Sequence, residues 1–390
     1  MGRRINFKIL RIFIILNIFF QNVYAQSKHT SIWCIGNYII DFSKSPVLFE
    51  KHNDVIGNYL YVDFNGKIQL ILGDDDVLYN GNKEPVKNMK FIVDDNSFFV
   101  PSPLDNNLVY FFSGNQYILI DIKKNEIVSE VKSLNELSVE KKLISFNHIL
   151  VHHANCKDVW IIYYSNDIVY KYLITASCVE FKEVIHIERE ISNPQKHYDM
   201  IIHLSSDCKH YTANFFADSI VCYGDFDRQT GNFVRKSEKI IHARHGIERT
   251  YILNSIISHD NKKIYYFCES GTKDHKTLTE VLSSDIINGK PNYENIRVIY
   301  SIDYNRIPLF VSDMFYGYDG NIYINYFPLK KMYKIVSTSD GETSVEDFFT
   351  FKSEQGVRSQ DFLADWFSKN PCNENQPCSE IKFPKIIENN

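Results

Sequence analysis

The sequence predicts an all-β fold built from repeated antiparallel units, and three observations support it. Short runs rich in β-branched and aromatic residues alternate with turns of Asp, Asn, Ser and Gly along most of the 390 residues. A polar turn followed by a strand that ends in Tyr or Trp recurs many times. Helical periodicity is nearly absent, with residues 361–367 as the main candidate for a short turn or helix.

The clearest copy of the unit covers residues 204–234. Within it, a polar turn at 205–209 leads into a strand at 211–215, and a second turn at 217–219 leads into a strand at 220–223. A third turn at 227–232 closes the unit. Asp, Ser, Asn and Gly favour turns because their side chains bond the local backbone or permit positive φ. We therefore expect a meander of short antiparallel strands.

The spacing of the units predicts a β-propeller. The turn residues that mark them are Asn65, Asp105, Asn155, Asp207, Asp260 and Asp319, at spacings of 40, 50, 52, 53 and 59 residues. A period near these values with about four strands per repeat is typical of propeller blades. Six markers, plus a shared blade from residues 31–60 and 345–367, predict seven four-stranded blades. Six or eight blades are also compatible with the spacing, and a two-sheet sandwich is the rival fold.

Residues 1–25 read as a signal peptide. Arg3, Arg4, Lys8 and Arg11 precede an apolar run of nine residues, 12–20, and small residues end at Ala25. This run is shorter than the roughly 18–20 residues that span a bilayer, so we predict cleavage after Ala25 rather than anchoring. The expected product is secreted, periplasmic or at the cell surface. We assign residues 26–367 to the propeller and 368–390 to a C-terminal tail.

Charge and motifs exclude several function classes. The net charge is −5, and no Lys/Arg cluster follows the signal peptide, which argues against nucleic acid. No second apolar stretch of membrane length follows it either. Serine-hydrolase, Walker and dinucleotide-binding glycine patterns are absent from the sequence. The sequence therefore assigns no catalytic residue, no cofactor and no metal.

All eight cysteines follow the signal peptide, which in an exported chain favours disulfides. Cys372 and Cys378 bracket a short loop of the tail and form one candidate pair. Cys208 and Cys222 lie in or beside two strands of one predicted hairpin and form a second. Cys156 and Cys178 are a third candidate. Free buried thiols are the competing interpretation, especially for Cys34 and Cys268.

Histidines are the next candidates for a site. His152 and His153 are adjacent in a predicted strand, so their side chains point to opposite faces and cannot readily bind one metal. Either could line a channel or a loop mouth, but a packed or capping role is the more common one. His242, His245 and His259 with Glu248 are spaced too loosely for a zinc site.

Two kinds of turn resemble ligand sites without matching them. Residues 73–76 (GDDD) are acidic but lack the spaced ligands of a calcium loop, so we predict an acidic hairpin turn. Residues 205–207 and 258–260 partly resemble the Asp-box turns of sialidases, which are themselves structural. We therefore predict structural turns at all three places.

Three segments resemble the propeller domain of exported, gliding-motility-associated surface proteins of Gram-negative bacteria. Trp33–Asn37 (WCIGN) followed by residues 40–42 (IDF) resembles that domain's opening, and residues 151–160 (VHHANCKDVW) resemble its H-x-N-G-x-D-x-W strand. Residues 356–362 followed by Trp366 resemble its closing element. The resemblance implies an exported propeller, and it implies no activity.

We predict a protein-interaction scaffold at the cell envelope, whose partner is another envelope or extracellular protein. Loops on a rigid ring carry function in such folds. The expected contact residues are His152, His153, Arg244, His245, Glu248 and Arg249. The alternatives are a glycan-active enzyme, with acid and base carboxylates at the channel mouth, and a carbohydrate-binding propeller that uses exposed aromatic rings.

Overall fold

A computed structural model describes most of residues 32–350 and four short pieces beyond them. The undescribed residues between 32 and 350 are 36–37, 42–43, 45–47, 52–58, 64–66, 74, 90–96, 135–146, 166–167, 188–199, 216–218, 242–248, 272–276, 305–311, 318–320, 327–330 and 338–341. Beyond 350, the structure describes residues 357–358, 364–365, 382–383 and 388–389. The predicted signal peptide and the pair Cys372 and Cys378 lie outside the described residues.

The described strands form seven antiparallel sheets of three to five strands, one after another along the chain. Sheet 1 contains β1 (Ile32–Ile35), β2 (Tyr38–Asp41) and β3 (Leu48–Lys51). Sheet 2 contains β4 (Tyr59–Val62), β5 (Ile68–Leu72) and β6 (Leu78–Asn80). Sheet 3 contains β7 (Phe98–Pro101), β8 (Leu108–Ser113), β9 (Gln116–Asp121), β10 (Glu126–Ile127) and β11 (Lys132–Ser133).

The later sheets are longer. Sheet 4 contains β12 (Asn147–His152), β13 (Val159–Ser165), β14 (Ile168–Ile174) and β15 (Val179–His186). Sheet 5 contains β16 (Met200–Leu204), β17 (His210–Phe215), β18 (Ile220–Asp227) and β19 (Asn232–Ile240). Sheet 6 contains β20 (Arg249–Ile257), β21 (Lys263–Gly271), β22 (Thr277–Ile287), β23 (Lys290–Pro291) and β24 (Arg297–Tyr304), with a 3-10 turn at Tyr293–Asn295. Sheet 7 contains β25 (Ser312–Tyr316), β26 (Ile322–Tyr326), β27 (Lys331–Ser337) and β28 (Thr343–Thr350).

Four strands near the C-terminus pair with one another. β29 (Val357–Arg358) pairs with β32 (Glu388–Asn389), and β30 (Ala364–Asp365) pairs with β31 (Lys382–Phe383). The sequence predicted a turn or helix over residues 361–367. The described part of that stretch is a strand, so the helical alternative is wrong there.

Sheets 4 and 5 are meanders in which strand order follows chain order, and burial falls from the first strand to the last. Almost every residue of β12 and β16 is buried. The last strand of sheet 4, β15, has four consecutive exposed residues, and β19 alternates between half-buried and exposed positions. Each of these two sheets therefore has an inner strand and an outer one, as a propeller blade does.

Consecutive sheets pack face to face through apolar side chains. One buried cluster joins sheets 2, 3 and 4, and separate clusters join sheet 4 to 5, 5 to 6, and 6 to 7. Representative contributors are Tyr61, Phe111, Tyr163, Trp160, Ile202, Tyr223, Ile264, Phe267 and Met314. Burying one large apolar side chain stabilises the fold by about 1.5–3 kcal/mol, so these seams are the main stabilising feature.

The turn between the first and second strands has one geometry in sheets 4, 5 and 6. The amide of His153 bonds the carbonyl of Asp158, and the same bond joins Ser205 to His210 and Ser258 to Lys263. The fourth residue of each turn has positive φ: Cys156 (61°), Cys208 (53°) and Asn261 (57°). This conformation suits glycine best, yet no glycine occupies it here. The predicted structural turns at 205–207 and 258–260 are confirmed.

A β-bulge recurs between the third strand and its outer neighbour. Register shifts occur at residues 171/172 in sheet 4, 223/224 in sheet 5, 281/282 in sheet 6 and 332/333 in sheet 7. A bulge bends the outer strand and increases its twist. The four sheets therefore share local irregularities as well as strand order, as expected of one repeated unit.

Candidate active site

The two histidines singled out from the sequence lie at the end of β12, and both ring nitrogens of His153 are in hydrogen-bond contacts. Its Nδ1 accepts from the amide of Asn155 at 3.1 Å, and its Nε2 lies 3.0 Å from the carbonyl oxygen of Gln229 in sheet 5. His152 is also buried, and its carbonyl accepts from Nε of Arg228 at 3.0 Å. These contacts give both residues a role in joining sheets 4 and 5, and ligand binding by them stays a prediction.

The joint between sheets 4 and 5 extends well beyond the histidines. The indole N–H of Trp160 donates to the carbonyl of Arg228 at 2.8 Å. The fully buried ammonium of Lys171 donates to the carbonyl of Thr230 at 3.0 Å and also pairs with Glu183. A Cβ at Gly231 would lie only 3.2 Å from the Trp160 ring, so the turn at 227–232 is seated closely on sheet 4. This end of the molecule is a structural clamp.

The other predicted contact residues are mostly undescribed. Arg244, His245 and Glu248 lie outside the described residues. Arg249 begins β20, where its backbone pairs with Gly271. Across the described ranges, no group of three or more His, Cys, Asp or Glu side chains could hold a metal ion. The predicted hairpin turn is present at Gly73 and residues 75–77: the amide of Gly73 donates to the carbonyl of Val77, and Asp75 accepts from the amide of Val77 and the hydroxyl of Tyr79.

The predicted pair Cys208 and Cys222 is a first correction, because both are free thiols. Cys222 pairs with Ala213 across β17 and β18, whereas Cys208 lies in the turn before His210, which pairs with Asp225. The two residues are thus four to five positions apart along the strand direction, roughly 15 Å at the rise of a β-strand. A disulfide needs Cα atoms within about 7 Å.

The predicted pair Cys156 and Cys178 is a second correction, because both are also free thiols. Each lies in a different turn at the same end of sheet 4, and two strand spacings of about 4.8 Å separate those turns. The Cys156 sulfur lies 3.9 Å from the guanidinium of Arg228 in sheet 5. Cys178 lies near Tyr110 and Tyr117 of sheet 3 instead. The two thiols therefore face opposite neighbours.

A buried acid in sheet 6 is the strongest candidate for chemistry. Glu269 on β21 is 5% exposed, and its Oε1 is buried without a hydrogen-bond partner among the described residues. Burial alone raises the pKa of Glu269 to about 8. A carboxyl group removed from water favours its neutral form, because the charged form loses its hydration. At neutral pH this side chain is therefore mostly a carboxylic acid, able to donate a proton.

Strand register places Glu269 in a row that faces sheet 7. It lies opposite Tyr251 on β20 and Thr279 on β22, and directly opposed residues project from the same face of a sheet. Tyr251, like Phe267 two residues before Glu269, packs in the apolar seam between sheets 6 and 7. Gly271, two residues beyond Glu269, is the last residue of β21. Glu269 thus lies about 7 Å from the C-terminal end of β21. Apolar side chains of the seam flank it on the side away from that end.

A second buried carboxyl group, Glu280 on β22, belongs to the other face of sheet 6. It pairs with Cys268, whose side chain packs in the seam with sheet 5. Burial, followed by the nearby Glu280, raises the pKa of the Cys268 thiol. Because adjacent residues of a strand point to opposite faces, Glu269 and Glu280 do not converge on one substrate.

The sequence alone did not single out Glu269. The structure continues β21 to Gly271, which brings the glutamate inside the sheet. The available signal was a carboxylate directly after the apolar run of residues 264–268. Acids are rarely buried without a partner, so such a residue in a strand is a candidate for function.

Comparisons with known proteins identify the fold. No protein-family model and no curated protein match the chain significantly. A Bacteroides fragilis protein, provisionally named a 6-phosphogluconolactonase, matches with a TM-score of 0.51 and 11% identity, over 83% of this chain and 95% of that one. A similarly named Bacteroides uniformis protein matches with a TM-score of 0.49 and 10% identity, over 80% and 92% of the two chains.

A Pseudomonas aeruginosa periplasmic gluconolactonase has a TM-score of 0.43 and 9% identity, over 82% of this chain and 94% of that one. The Bacteroides fragilis match and the successive meander sheets together support a β-propeller-like fold, which confirms the all-β prediction. Of the described helical segments, none is long and apolar enough to cross a membrane.

Proposed function

We propose that this chain is an exported, seven-bladed β-propeller that acts as an enzyme on a carbohydrate. The observation that carries the proposal is Glu269, a buried carboxyl group with a pKa of about 8 and an unpartnered Oε1. Strongly perturbed pKa values cluster at functional sites, so a buried acid of this kind is a candidate for catalysis. A carboxylic acid that is neutral at physiological pH is suited to general-acid catalysis.

The fold supports the same proposal. The Bacteroides fragilis protein with this fold is named for an activity on a phosphorylated sugar lactone, so a fold of this kind is associated with sugar-derived substrates. Fold alone does not transfer an activity, and for this reason Glu269 carries the argument. Seven sheets of three or more strands among the described residues support seven blades.

Other features predicted from the sequence complete the proposal. Cleavage after Ala25 would export the mature chain, and a disulfide between Cys372 and Cys378 would hold its tail. The resemblance to gliding-motility-associated surface propellers fits such a compartment. The interaction scaffold that the sequence predicts remains the alternative, with Arg244, His245, Glu248 and Arg249 as its contact residues.

A turnover screen tests the proposal. The purified chain would be assayed between pH 5 and pH 9 against glycosides, oligosaccharides and sugar lactones, beside Glu269→Gln and the matched variant Glu280→Gln. We expect Glu269→Gln to lower turnover by about 100-fold or more, a typical general-acid contribution, and Glu280→Gln to change it only slightly. No turnover of any of these compounds by the wild type would reject the carbohydrate enzyme, and a pull-down for a protein partner would follow.

A further inference from the structure

A lysine occupies the same position in the turn between the first and second strands of sheets 4, 5 and 6. Each lysine directly follows the residue with positive φ, and the three are Lys157, Lys209 and Lys262. In each turn, the Asn or Asp two residues earlier accepts a hydrogen bond from the lysine's own amide. These acceptors are Asn155 at 3.0 Å, Asp207 at 3.1 Å and Asp260 at 3.1 Å. The backbone therefore presents the three lysines in the same way.

Contacts between neighbouring turns place the three lysines on one continuous surface. The hydroxyl of Ser206 donates to the carbonyl of His259 at 2.9 Å, which joins the turns of sheets 5 and 6. The carbonyl of Arg228, in the last turn of sheet 5, accepts from the amide of Ala154 at 3.1 Å, which joins sheet 5 to the turn of sheet 4. Sheets that pack face to face lie about 10 Å apart, so neighbouring lysines are separated by a distance of that order. In sequence the lysines are 52 and 53 residues apart, and only the fold brings them together.

The ammonium groups of this surface reach solvent, whereas the nearest carboxylates are held at the backbone. Lys157 and Lys209 are exposed and have no ion pair with any described residue. The side chain of Lys262 is 77% exposed, and its 3.4 Å contact with the exposed Asp260 is of a kind that contributes little. Asp207 and Asp260 each accept from a serine hydroxyl of their own turn, at 2.6 and 2.7 Å. The outermost charges of the three turns are therefore positive.

Such a surface fits a polymer that carries negative charges along its length. The chain as a whole has a net charge of −5, so an anion is attracted by this local arrangement and not by the total charge. Several weak contacts on one polymer add up, because the second and third form within a complex that already exists. Residues 153–158, 205–210 and 258–263 include no large apolar side chain. Surfaces that bind a bilayer combine basic residues with apolar ones that insert, so these turns favour a polymer over a membrane.

We infer that Lys157, Lys209 and Lys262 bind an anionic polysaccharide, one that carries carboxylate or sulfate groups. This inference rests on the proposed function, which supplies carbohydrate as the partner. The surface is separate from the candidate active site, because Glu269 lies six residues beyond Lys263 at the start of β21, about 20 Å along the strand. The lysines thus hold a polymer on the molecule and take no part in bond cleavage.

Binding measurements with matched charge variants test the inference. The probes are polygalacturonate and dextran sulfate, with neutral dextran beside them, at about 50 mM and 500 mM salt. One variant combines Lys157→Gln, Lys209→Gln and Lys262→Gln. The control combines Lys87→Gln, Lys132→Gln and Lys239→Gln, which removes the same charge from exposed positions elsewhere. The first variant should raise the Kd for an anionic polymer by about 10-fold or more and the control by less than about 2-fold, with no binding of dextran and weaker binding at high salt.

The other outcomes would overturn the inference. Equal losses in both variants would show that binding follows total charge and not these turns. A wild type that binds neither anionic polymer at low salt would reject the surface, and binding to phosphatidylserine vesicles alone would identify a membrane surface instead. Glu269→Gln should bind the polymers as the wild type does, which keeps this test independent of turnover. Polymer binding that depends on the three lysines, without turnover of any carbohydrate, would reject the proposed enzyme and retain the binding surface.

Discussion

The indole nitrogen of Trp160 in sheet 4 donates a hydrogen bond of 2.8 Å to the carbonyl oxygen of Arg228 in sheet 5. In the other direction, the guanidinium of Arg228 donates hydrogen bonds to the carbonyls of His152 and His153 in sheet 4. Residues distant in sequence thus join two consecutive sheets in both directions. The clamp fixes the angle between these sheets through groups that apolar packing alone would not orient.

Replacing Trp160 by Phe should remove the bond to Arg228 and part of the buried area. We expect the free energy of unfolding to fall by about 1–2 kcal/mol, because the Arg228 carbonyl keeps its second donor, the amide of Ala154 at 3.1 Å. Urea denaturation followed by circular dichroism would measure the change. The exposed Val234→Thr is the control and should stay within about 0.5 kcal/mol of the wild type. Equal stability of Trp160→Phe would show that the clamp adds little.

Glu269 should make stability depend on pH. Its pKa is about 8 in the folded chain and near the ordinary glutamate value of 4.5 when unfolded, so the folded state binds the extra proton between these values. The free energy of unfolding should therefore be highest below about pH 4.5 and fall as pH rises through about 8. At 1.36 kcal/mol per pH unit, the loss from this group between pH 4.5 and pH 7 is about 3 kcal/mol.

Glu269→Gln should remove this contribution, since an amide does not titrate in this range. Urea denaturation at several values of pH would compare the slopes of the wild type and the variant. Phe267→Leu on the same strand is the control, because it should lower stability at every pH without changing the slope. A Gln variant that keeps the full wild-type slope would show that Glu269 is ionised in the folded chain.

Asn261 occupies a turn position that favours glycine. Its φ is 57°, and its side-chain oxygen has no hydrogen-bond partner among the described residues. The Asn261→Gly variant should be at least as stable as the wild type, and the Asn261→Ala variant should be less stable than both. The gap between Gly and Ala should be about 1–2 kcal/mol, because a Cβ is strained in the left-handed region and glycine has none. Thermal unfolding of Asn261→Gly and Asn261→Ala would measure the ranking, and a more stable Ala variant would contradict it.

Thiol labelling should separate the cysteines by burial. Cys208, Cys222 and Cys268 are buried, whereas Cys156 and Cys178 are partly exposed. Burial also raises the pKa of Cys268, which lowers its reactive thiolate fraction further. We expect an alkylating reagent to modify Cys156 and Cys178 in the native protein and the three buried thiols only after unfolding without reductant. Peptide mass mapping would read the result, and a Cys208–Cys222 peptide that resists alkylation would restore the predicted disulfide.

Local patterns were enough to predict much of the fold. The strands at residues 211–215 and 220–223 and the turn at 205–209 follow from residue type alone, because β-branched, aromatic and turn-forming residues act over short distances. Their recurrence along the chain also predicted successive antiparallel sheets. The structure confirms each of these elements within its described residues.

The candidate site and the cysteine pairing depend on register, which local patterns do not contain. Cys208 and Cys222 are near in sequence, yet their strands are aligned so that Ala213 faces Cys222. Glu269 becomes buried only because β21 continues past Cys268 and sheet 7 covers that face. His153 is engaged by Gln229, a residue 76 positions away. Contacts of this range arise from packing between sheets.

The recurring bulges in sheets 4 to 7 also bear on self-association. A flat outer strand offers unpaired amide and carbonyl groups to any passing chain, which is how aggregation by strand addition begins. In β15 the register shift at Lys182 lies between two exposed apolar residues, Phe181 and Val184. It therefore interrupts a regular, apolar edge strand. Without that irregularity, β15 would be a more regular exposed edge strand and would pair more readily with a strand of a second chain.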